Sequence, residues 1–318
     1  MGAGSYGEAG CTIARVVRAL DHVVVRLLPL VPRAVVQRLS APYIAGPELA
    51  DARRTVAALN AAGLLATVDV LGEEVIRPDE AEAIAAAYAD AIEAITTDRL
   101  DANVSVKLTG LGLKIDVSLC HALLERVVRD AASRSMFVRI DMEDASCTDD
   151  TIDLYRRLRE AGHENVGIVL QAALRRSVAD VAALRGLRPN VRLCKGIYVE
   201  PPGVAFQEPD EIRRSFLDVL DALLEAGCYT AVATHDEWLL GETLARVGEL
   251  PADGYELQML LGVREARAAE LAAAGHRLRV YVPYGLRWYE YSLRRLQENP
   301  RMASMVAKAT LARLIGRG

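Results

Sequence analysis

The C-terminal ends of a series of short, apolar, β-branched-rich segments collect the side chains of this chain that could do chemistry. They are Glu73, Lys107, Asp141 with Glu143, Gln171, Arg192 with Lys195, Thr234 with His235, and Gln258. Inward-facing strand positions are expected to be aliphatic, so polar groups at these ends argue for a mouth filled by a ligand. Two chemistries can use the set. Asp141, Glu143 and His235 offer ligand types suited to a hard or borderline cation, but a second histidine and a ligand spacing are missing. Alternatively the set lines a cofactor pocket. Gly196 beside Lys195 permits close backbone approach to a phosphate or ring, while Thr234, His235 and Gln171 supply hydrogen bonds for a polar cofactor edge.

A second concentration lies near the C-terminus. Four of the eleven tyrosines (Tyr281, Tyr284, Tyr289, Tyr291) fall within eleven residues, together with Trp288, one of only two tryptophans. On a helix, Tyr291, Arg294 and Arg295 stand at i, i+3 and i+4 and share a face, and Asn299-Pro300 ends that helix. Adjacent guanidiniums beside aromatics form a clamp for a small carboxylate, because arginine offers a rigid bidentate fork. A solvated basic face is the alternative when the motif is taken alone.

The elements that must position these groups follow from periodicity. Strand-like segments occupy 65–72, 103–109, 137–143, 166–172, 191–197, 229–235, 255–262 and 277–284. Between them lie stretches with helical periodicity, such as 78–97, 119–132, 148–161 and 208–226, several of them stopped by Ala-Gly. Eight strands alternating with amphipathic helices predict a parallel (β/α)8 barrel over residues 41–318, with its site at the C-terminal ends of the strands and C-terminal helices near the mouth. A doubly wound sheet would need a phosphate fingerprint after its first strand. The match at Gly2-Ala3-Gly4-Ser5-Tyr6-Gly7 has no strand before it and no βαβ unit around it.

Residues 1–40 read differently. Arg15, Arg18, Arg26, Arg33 and Arg38 face only Glu8 and Asp21, and Ile13, Val16, Val17, Leu20, Val24, Leu27 and Leu28 recur at helical spacing. This is a helical arm packed on the barrel or a basic amphipathic surface touching anionic lipid. The rest of the composition narrows the class. With 52% hydrophobic and 25% charged residues the chain is of ordinary globular type, which excludes disorder, collagen and coiled coil. A net charge of −5 gives no footprint for nucleic acid. Five scattered cysteines without a CxxC pair argue against a disulfide framework and for a reducing compartment. No apolar run is long enough to span a bilayer, and arginines interrupt the candidate signal region. A cytoplasmic protein is expected, with contact at the inner face of the membrane left to the arm.

These residues together resemble the proline dehydrogenase family, FAD-dependent barrel enzymes that oxidise L-proline. The likeness runs over about residues 60–300 and rests on SVKLTGLG, RIDMED, VLQAALRRS, RLCKGIYVEP, ATHDEWL, YELQMLLG and YVPYGLRWYEYSLRRLQENP, in family order. The resemblance implies that Arg294 and Arg295 bind the substrate carboxylate with Lys107 as a third cation. Tyr281, Tyr291 and Leu260 would pack against the pyrrolidine ring, and Asp141 would be the active-site aspartate paired with the lysine. Arg192 would approach the flavin N5/O4 edge. Met142, Gln171, Lys195, Gly196, Ile197, Thr234 and His235 would line the FAD, with Tyr198 near the isoalloxazine. Glu73 would be the gate carboxylate that ion-pairs with Arg295 when the site is closed. The product would be Δ1-pyrroline-5-carboxylate, the electron acceptor a membrane quinone, and the enzyme of the next step a Δ1-pyrroline-5-carboxylate dehydrogenase. No metal is implied. Ile197 departs from the alanine of many members. Tyr281 is kept, which favours proline over hydroxyproline. A flavin barrel resembling methylenetetrahydrofolate reductase would not need the paired arginines, and a non-catalytic barrel would not hold a flavin.

Overall fold

The computed structural model describes residues 33–292 apart from positions 249, 252 and 290. Eight strands close into a barrel in sequence order: β1 (Leu65–Val70), β2 (Ala102–Val106), β3 (Val138–Ile140), β4 (Val166–Gln171), β5 (Val191–Cys194), β6 (Thr230–Ala233), β7 (Tyr255–Leu260) and β8 (Leu278–Tyr284). Every pairing is parallel, including the closing seam of β8 on β1, where Thr67 lies opposite Tyr281 and Asp69 opposite Pro283. The eight expected strands are all present, each one to four residues shorter than its apolar segment.

Helices α1 (Arg33–Ser40) and α2 (Leu49–Ala61) precede β1. Each strand from β1 to β7 is then followed by a helix: α3 (Pro78–Thr97), α4 (Val117–Ser133), α5 (Thr148–Glu160), α6 (Ser177–Leu184), α7 (Pro209–Glu225), α8 (Glu237–Val247) and α9 (Glu265–Ala273). Their starts carry the expected chemistry. Pro78 with Asp79 and Glu80 opens α3, and Pro209 with Asp210 and Glu211 opens α7. The Asp116 and Asp236 side chains cap α4 and α8 by accepting from backbone N–H groups. Helix α2 was not marked by the sequence pattern. It is held at its start by a Glu48/Asp51 capping box and lies over the β1–β8 seam, burying Ala52 and Val56. Of the 1–40 arm, only the helical Arg33–Ser40 falls within the described residues. No described helix is long and apolar enough to cross a membrane.

The two faces of the strands are the reverse of the expected arrangement. Val68, Val104, Ile140, Ile168, Leu193 and Val282 pack outward against helix residues such as Ile92, Leu124, Leu154 and Phe216 in one hydrophobic core. The alternate positions face the barrel axis and are mostly polar: Asp69, Ser105, Arg139, Asp141, Arg192, Glu256, Gln258 and Arg279 are all buried. The expectation of an aliphatic interior is therefore corrected. Charge pairing of Asp69, Asp141 and Glu256 with Lys107, Arg192 and Arg279 offsets the desolvation of such an interior, and Arg139 is held by the carbonyl oxygens of Ile168 and Asn190. Gly167 makes room for it, since a Cβ there would come within 2.6 Å of the Arg139 guanidinium.

The loops after β1, β2 and β3 are fastened to one another. A Cβ on Gly110 would overlap the Gly72 carbonyl, so the first two loops meet backbone to backbone. Thr109 Oγ1 accepts from the Glu74 N–H (3.0 Å) and donates to Glu143 (2.5 Å), whose other oxygen accepts from Thr109 N–H (2.9 Å). Burial raises the Glu143 carboxyl above its usual range despite these bonds. Glu143 is thus a brace under the loop that carries Glu73.

Candidate active site

Every described residue singled out from the sequence as facing substrate or cofactor lines one cavity of about 840 Å³ at the C-terminal ends of the strands. That volume suits an organic ligand of flavin-ring size. Glu73, Leu260, Tyr281 and Tyr291 all line the cavity, with Ile197 and Tyr198 on the loop after β5. Arg294 and Arg295 lie outside the described residues, which end at Ser292, inside the helix expected to carry them.

The floor is an interlocked charge cluster. Lys107 Nζ donates to Asp69 Oδ2 (2.7 Å) and to the Tyr281 hydroxyl (2.9 Å), and lies 3.5 Å from Asp141 Oδ2. Tyr281 in turn donates to Asp141 Oδ2 (2.9 Å). Arg192 Nη1 donates to Asp141 Oδ1 (2.7 Å) and its guanidinium lies over the Tyr281 ring, 5.3 Å from the centroid. Ser105 Oγ completes Asp141 by donating at 2.5 Å.

Two carboxylates and two cations leave the cluster neutral and fix its protonation. Burial alone would raise the Asp141 carboxyl, but Arg192 and Lys107 outweigh it and hold it below the usual carboxylate range. Burial alone would lower the Lys107 ammonium, yet Asp69, Tyr281 and Asp141 push it well above its ordinary value. Burial, followed by Asp141 and Asp69, raises the Tyr281 phenol well above its own. Lys107 is therefore an ammonium and Asp141 a carboxylate throughout the neutral range.

Strand ends β4 to β7 build a second, more open wall. Gly196 has φ +97°, and a Cβ there would come within 2.6 Å of Gln171 Oε1. Gln171 is itself anchored, donating to the backbone carbonyls of Met142 (3.2 Å) and Glu143 (2.7 Å). His235 Nε2 accepts from the Leu260 N–H (3.0 Å), and Thr234 Oγ1 accepts from Asp236 N–H (3.2 Å). Lys195 Nζ donates to Asp236 Oδ2 (2.5 Å), which also accepts from Arg213 Nε (2.8 Å). The metal alternative finds no support: Glu143 is committed to Thr109 and His235 to Leu260. Among the described residues no group of three His, Cys, Asp or Glu is placed to hold a metal ion.

Asp236 makes a testable contribution to stability. Burial would raise its carboxyl, but the Lys195 and Arg213 hydrogen bonds bring it down from 3.8 to about 2. A depressed folded value means that its stabilisation is present above the ordinary carboxylate range and is lost as pH falls towards 2. Asp236→Asn keeps a side-chain oxygen to cap the helix but loses the charge paired with Lys195 and Arg213; it is expected to cost about 1–2 kcal/mol at neutral pH and to flatten the acid side of a plot of Tm against pH. An unchanged acid limb would show that the pairing contributes nothing.

Sequence reading missed several members of the site. Asp69 is fully buried at the floor, and its signal was present: an acid in the middle of LATVDV, where aspartate is disfavoured, needs a partner. Ser105, Asp236, Arg213 and Trp238 were also unassigned; of these, Asp236, Arg213 and Trp238 line the cavity. Within the aromatic concentration the roles divide. Tyr291 packs with Ile44, Leu71 and Trp288, Trp288 meets Tyr289 edge to face, and Tyr284 belongs to the outer core.

Fold and pocket together define a (β/α)8-barrel protein with a pocket of organic-ligand size over a neutral cluster of buried charges. The profile of the family described as proline dehydrogenase matches residues 52–308, and the chain belongs to that family. It is 40% identical over 271 residues to proline dehydrogenase 1 of Bacillus subtilis (strain 168), covering 85% of this chain and 89% of that one. It is 36% identical over 281 residues to proline dehydrogenase of Deinococcus radiodurans, covering 86% and 90%. Among solved structures, proline utilization A (PutA) from Bdellovibrio bacteriovorus inactivated by N-propargylglycine superposes with a TM-score of 0.76 at 24% identity. This chain spans 33% of that longer polypeptide, and the likeness shows the fold.

Proposed function

We propose that this protein oxidises L-proline to Δ1-pyrroline-5-carboxylate, the first step of proline catabolism, with FAD as its cofactor. The observation that carries the reading is the neutral Asp69–Lys107–Asp141–Arg192 cluster under a pocket of flavin dimensions, in a chain of this family. The residues present fit a flavin. The Gly196 backbone is kept bare beside the anchored Gln171 amide, and Met142, Lys195, Ile197, Tyr198, Thr234 and His235 surround the same space. A bound flavin supplies the two-electron acceptor for hydride from the ring carbon beside the amine.

The chain's own residues bind and orient. Arg294 and Arg295 clamp the substrate carboxylate, with Lys107 as a third cation, and Tyr281, Tyr291 and Leu260 hold the ring. Holding the substrate carbon in line is catalysis mainly by positioning. Hydride loss requires a neutral amine, and the cations Lys107 and Arg192 favour loss of the ammonium proton. Asp69 and Asp141, which pair with these cations, oppose them. Glu73, which lines the pocket, acts as the gate partner of Arg295. Electrons pass to a membrane quinone, which places the protein in the cytoplasm at the inner face of the membrane. The product imine opens to an aldehyde on hydrolysis, so a Δ1-pyrroline-5-carboxylate dehydrogenase takes the next step. The acidic overall charge speaks against a nucleic-acid partner.

Anaerobic L-proline is expected to bleach the visible flavin band of the purified protein; a band that persists overturns the reading. Arg294→Ala with Arg295→Ala is expected to raise KM for proline by about 100-fold while the flavin stays bound, since two charge-assisted contacts are lost. An unchanged KM in that double variant removes the clamp. Gly196→Ala meets both a positive φ and the Gln171 side chain, and is expected to release the flavin from an otherwise folded barrel. Full flavin stoichiometry in that variant would place the cofactor elsewhere.

A further inference from the structure

Below the site, the barrel interior continues as an unbroken polar column. Arg279 Nε donates to both oxygens of Glu256 (3.0 and 3.1 Å), while Arg279 Nη1 donates to the Ala66 carbonyl (2.7 Å). The Tyr229 hydroxyl also donates to Glu256 (3.2 Å), and Arg277 Nε lies 3.7 Å away. Glu256 is 3% exposed. Burial opposes its ionisation, but Arg279 and the hydrogen bonds around it hold the carboxyl below its usual range. Gln258, two residues further up β7, donates its amide N–H to Glu256 Oε1. Its own Oε1 accepts from Arg192 Nε at 2.6 Å.

We propose that Glu256 is a positioning residue for the reaction, fixing the Gln258 amide and through it the Arg192 guanidinium at the cofactor-facing floor. The reasoning is one of donors and acceptors. An amide side chain is nearly symmetric in shape, so only its partners decide which end points up. A carboxylate can only accept, so Glu256 obliges Gln258 to turn its NH2 downward and its carbonyl upward. An upward carbonyl is what a guanidinium N–H requires. Arg192 Nε is thereby tied on one side while Nη1 is tied to Asp141 and, at 3.2 Å, to Ser105. With an amide in place of the carboxylate, both orientations of Gln258 become acceptable from below, and the inverted one presents a donor to a cation.

This rests on the flavin reading. Failure of that reading shows separately, as a wild-type protein that carries no flavin or is not bleached by proline. Glu256→Gln keeps size and most hydrogen bonds. It is expected to lower the rate of flavin reduction by proline about tenfold with KM within about twofold, because the carboxylate clamp is untouched. It is also expected to weaken the preference for reduced over oxidised flavin about tenfold, which for a two-electron couple is a midpoint shift of about 30 mV to lower potential. Gln258→Leu leaves the Glu256–Arg279 pair intact and should give the same two changes, so it carries the test if Glu256→Gln does not fold. In the double variant the losses should not multiply, since both changes act on one chain of contacts. A merely structural role would lower Tm and leave the potential of the folded, flavin-loaded protein at its wild-type value. That result, or losses that multiply in the double variant, overturns the proposal.

Discussion

Lys107→Met is expected to abolish most of the activity, lowering kcat/KM for proline by about three orders of magnitude. The ammonium it removes is the donor that orients the Tyr281 hydroxyl and, in the proposed function, the third cation beside the substrate carboxylate. A preorganised donor of this kind in a water-poor site is worth about 10²–10³, and the lost substrate contact adds to it. The variant also leaves Asp69 as a buried carboxylate without its ion-pair partner, held only by the Tyr88 hydroxyl at 3.4 Å. Breaking a buried pair costs about 3–5 kcal/mol, so Tm should fall by roughly 10 °C. Lys107→Met with Asp69→Leu separates the two losses. Stability should return in large part, because no charge is orphaned, while activity stays low. Recovery of activity in that double variant would show that Lys107 only neutralises Asp69.

Asp141→Asn should be nearly as damaging for a different reason. Asp141 accepts from Arg192, Ser105 and Tyr281 and faces Lys107, and it donates nothing. An asparagine must point NH2 at one side, so either Arg192 and Ser105 or Tyr281 and Lys107 lose their acceptor. The pocket also gains one net positive charge. We expect kcat lower by about 10²–10³, with the flavin retained, as when one member of a preorganised polar site is removed. The Lys107 ammonium keeps only Asp69 of its two carboxylate neighbours, so its raised value must move down. Its loss of charge then enters the pH profile as a falling alkaline limb that the wild type lacks at the same pH. Coincident alkaline limbs in the two proteins would contradict the coupling of Asp141 to Lys107.

The strands were legible because their outward faces form apolar, β-branched runs and the alternating helices announce themselves by periodicity and stops. Residues such as Val104, Ile140 and Leu193 carry that signal. The mouth was legible too, because a charge at the end of an apolar run stands out, as Lys107 and Arg192 do. The interior below was not. Arg139, Glu256 and Arg279 sit in mid-strand, where a charge facing the barrel axis and one facing solvent look alike. Their partners are distant in sequence: Asp69 and Lys107 are 38 residues apart, and Lys195 and Asp236 are 41. Pairing across a closed sheet leaves no local spacing to read. Helix α2 escaped for a related reason. Its box uses Glu48 and Asp51 rather than a Ser/Thr start, and it buries only two small apolar residues against the seam.

The charged interior also constrains how such a barrel can be divided. Asp141 follows β3, but its partners Arg192 and Tyr281 belong to β5 and β8. A fragment ending after β4 would hold that carboxylate without either of them, and a fragment beginning at β5 would hold Arg192 and Arg279 against Glu256 alone. Each half leaves a charged group short of its native partners until the other is in place. The outer apolar core can grow strand by strand, yet the axis is satisfied only when β8 meets β1. Ring closure is therefore what completes the polar axis, since the β8 residues Arg279 and Tyr281 meet their partners at β1, β3 and β7 only in the closed sheet.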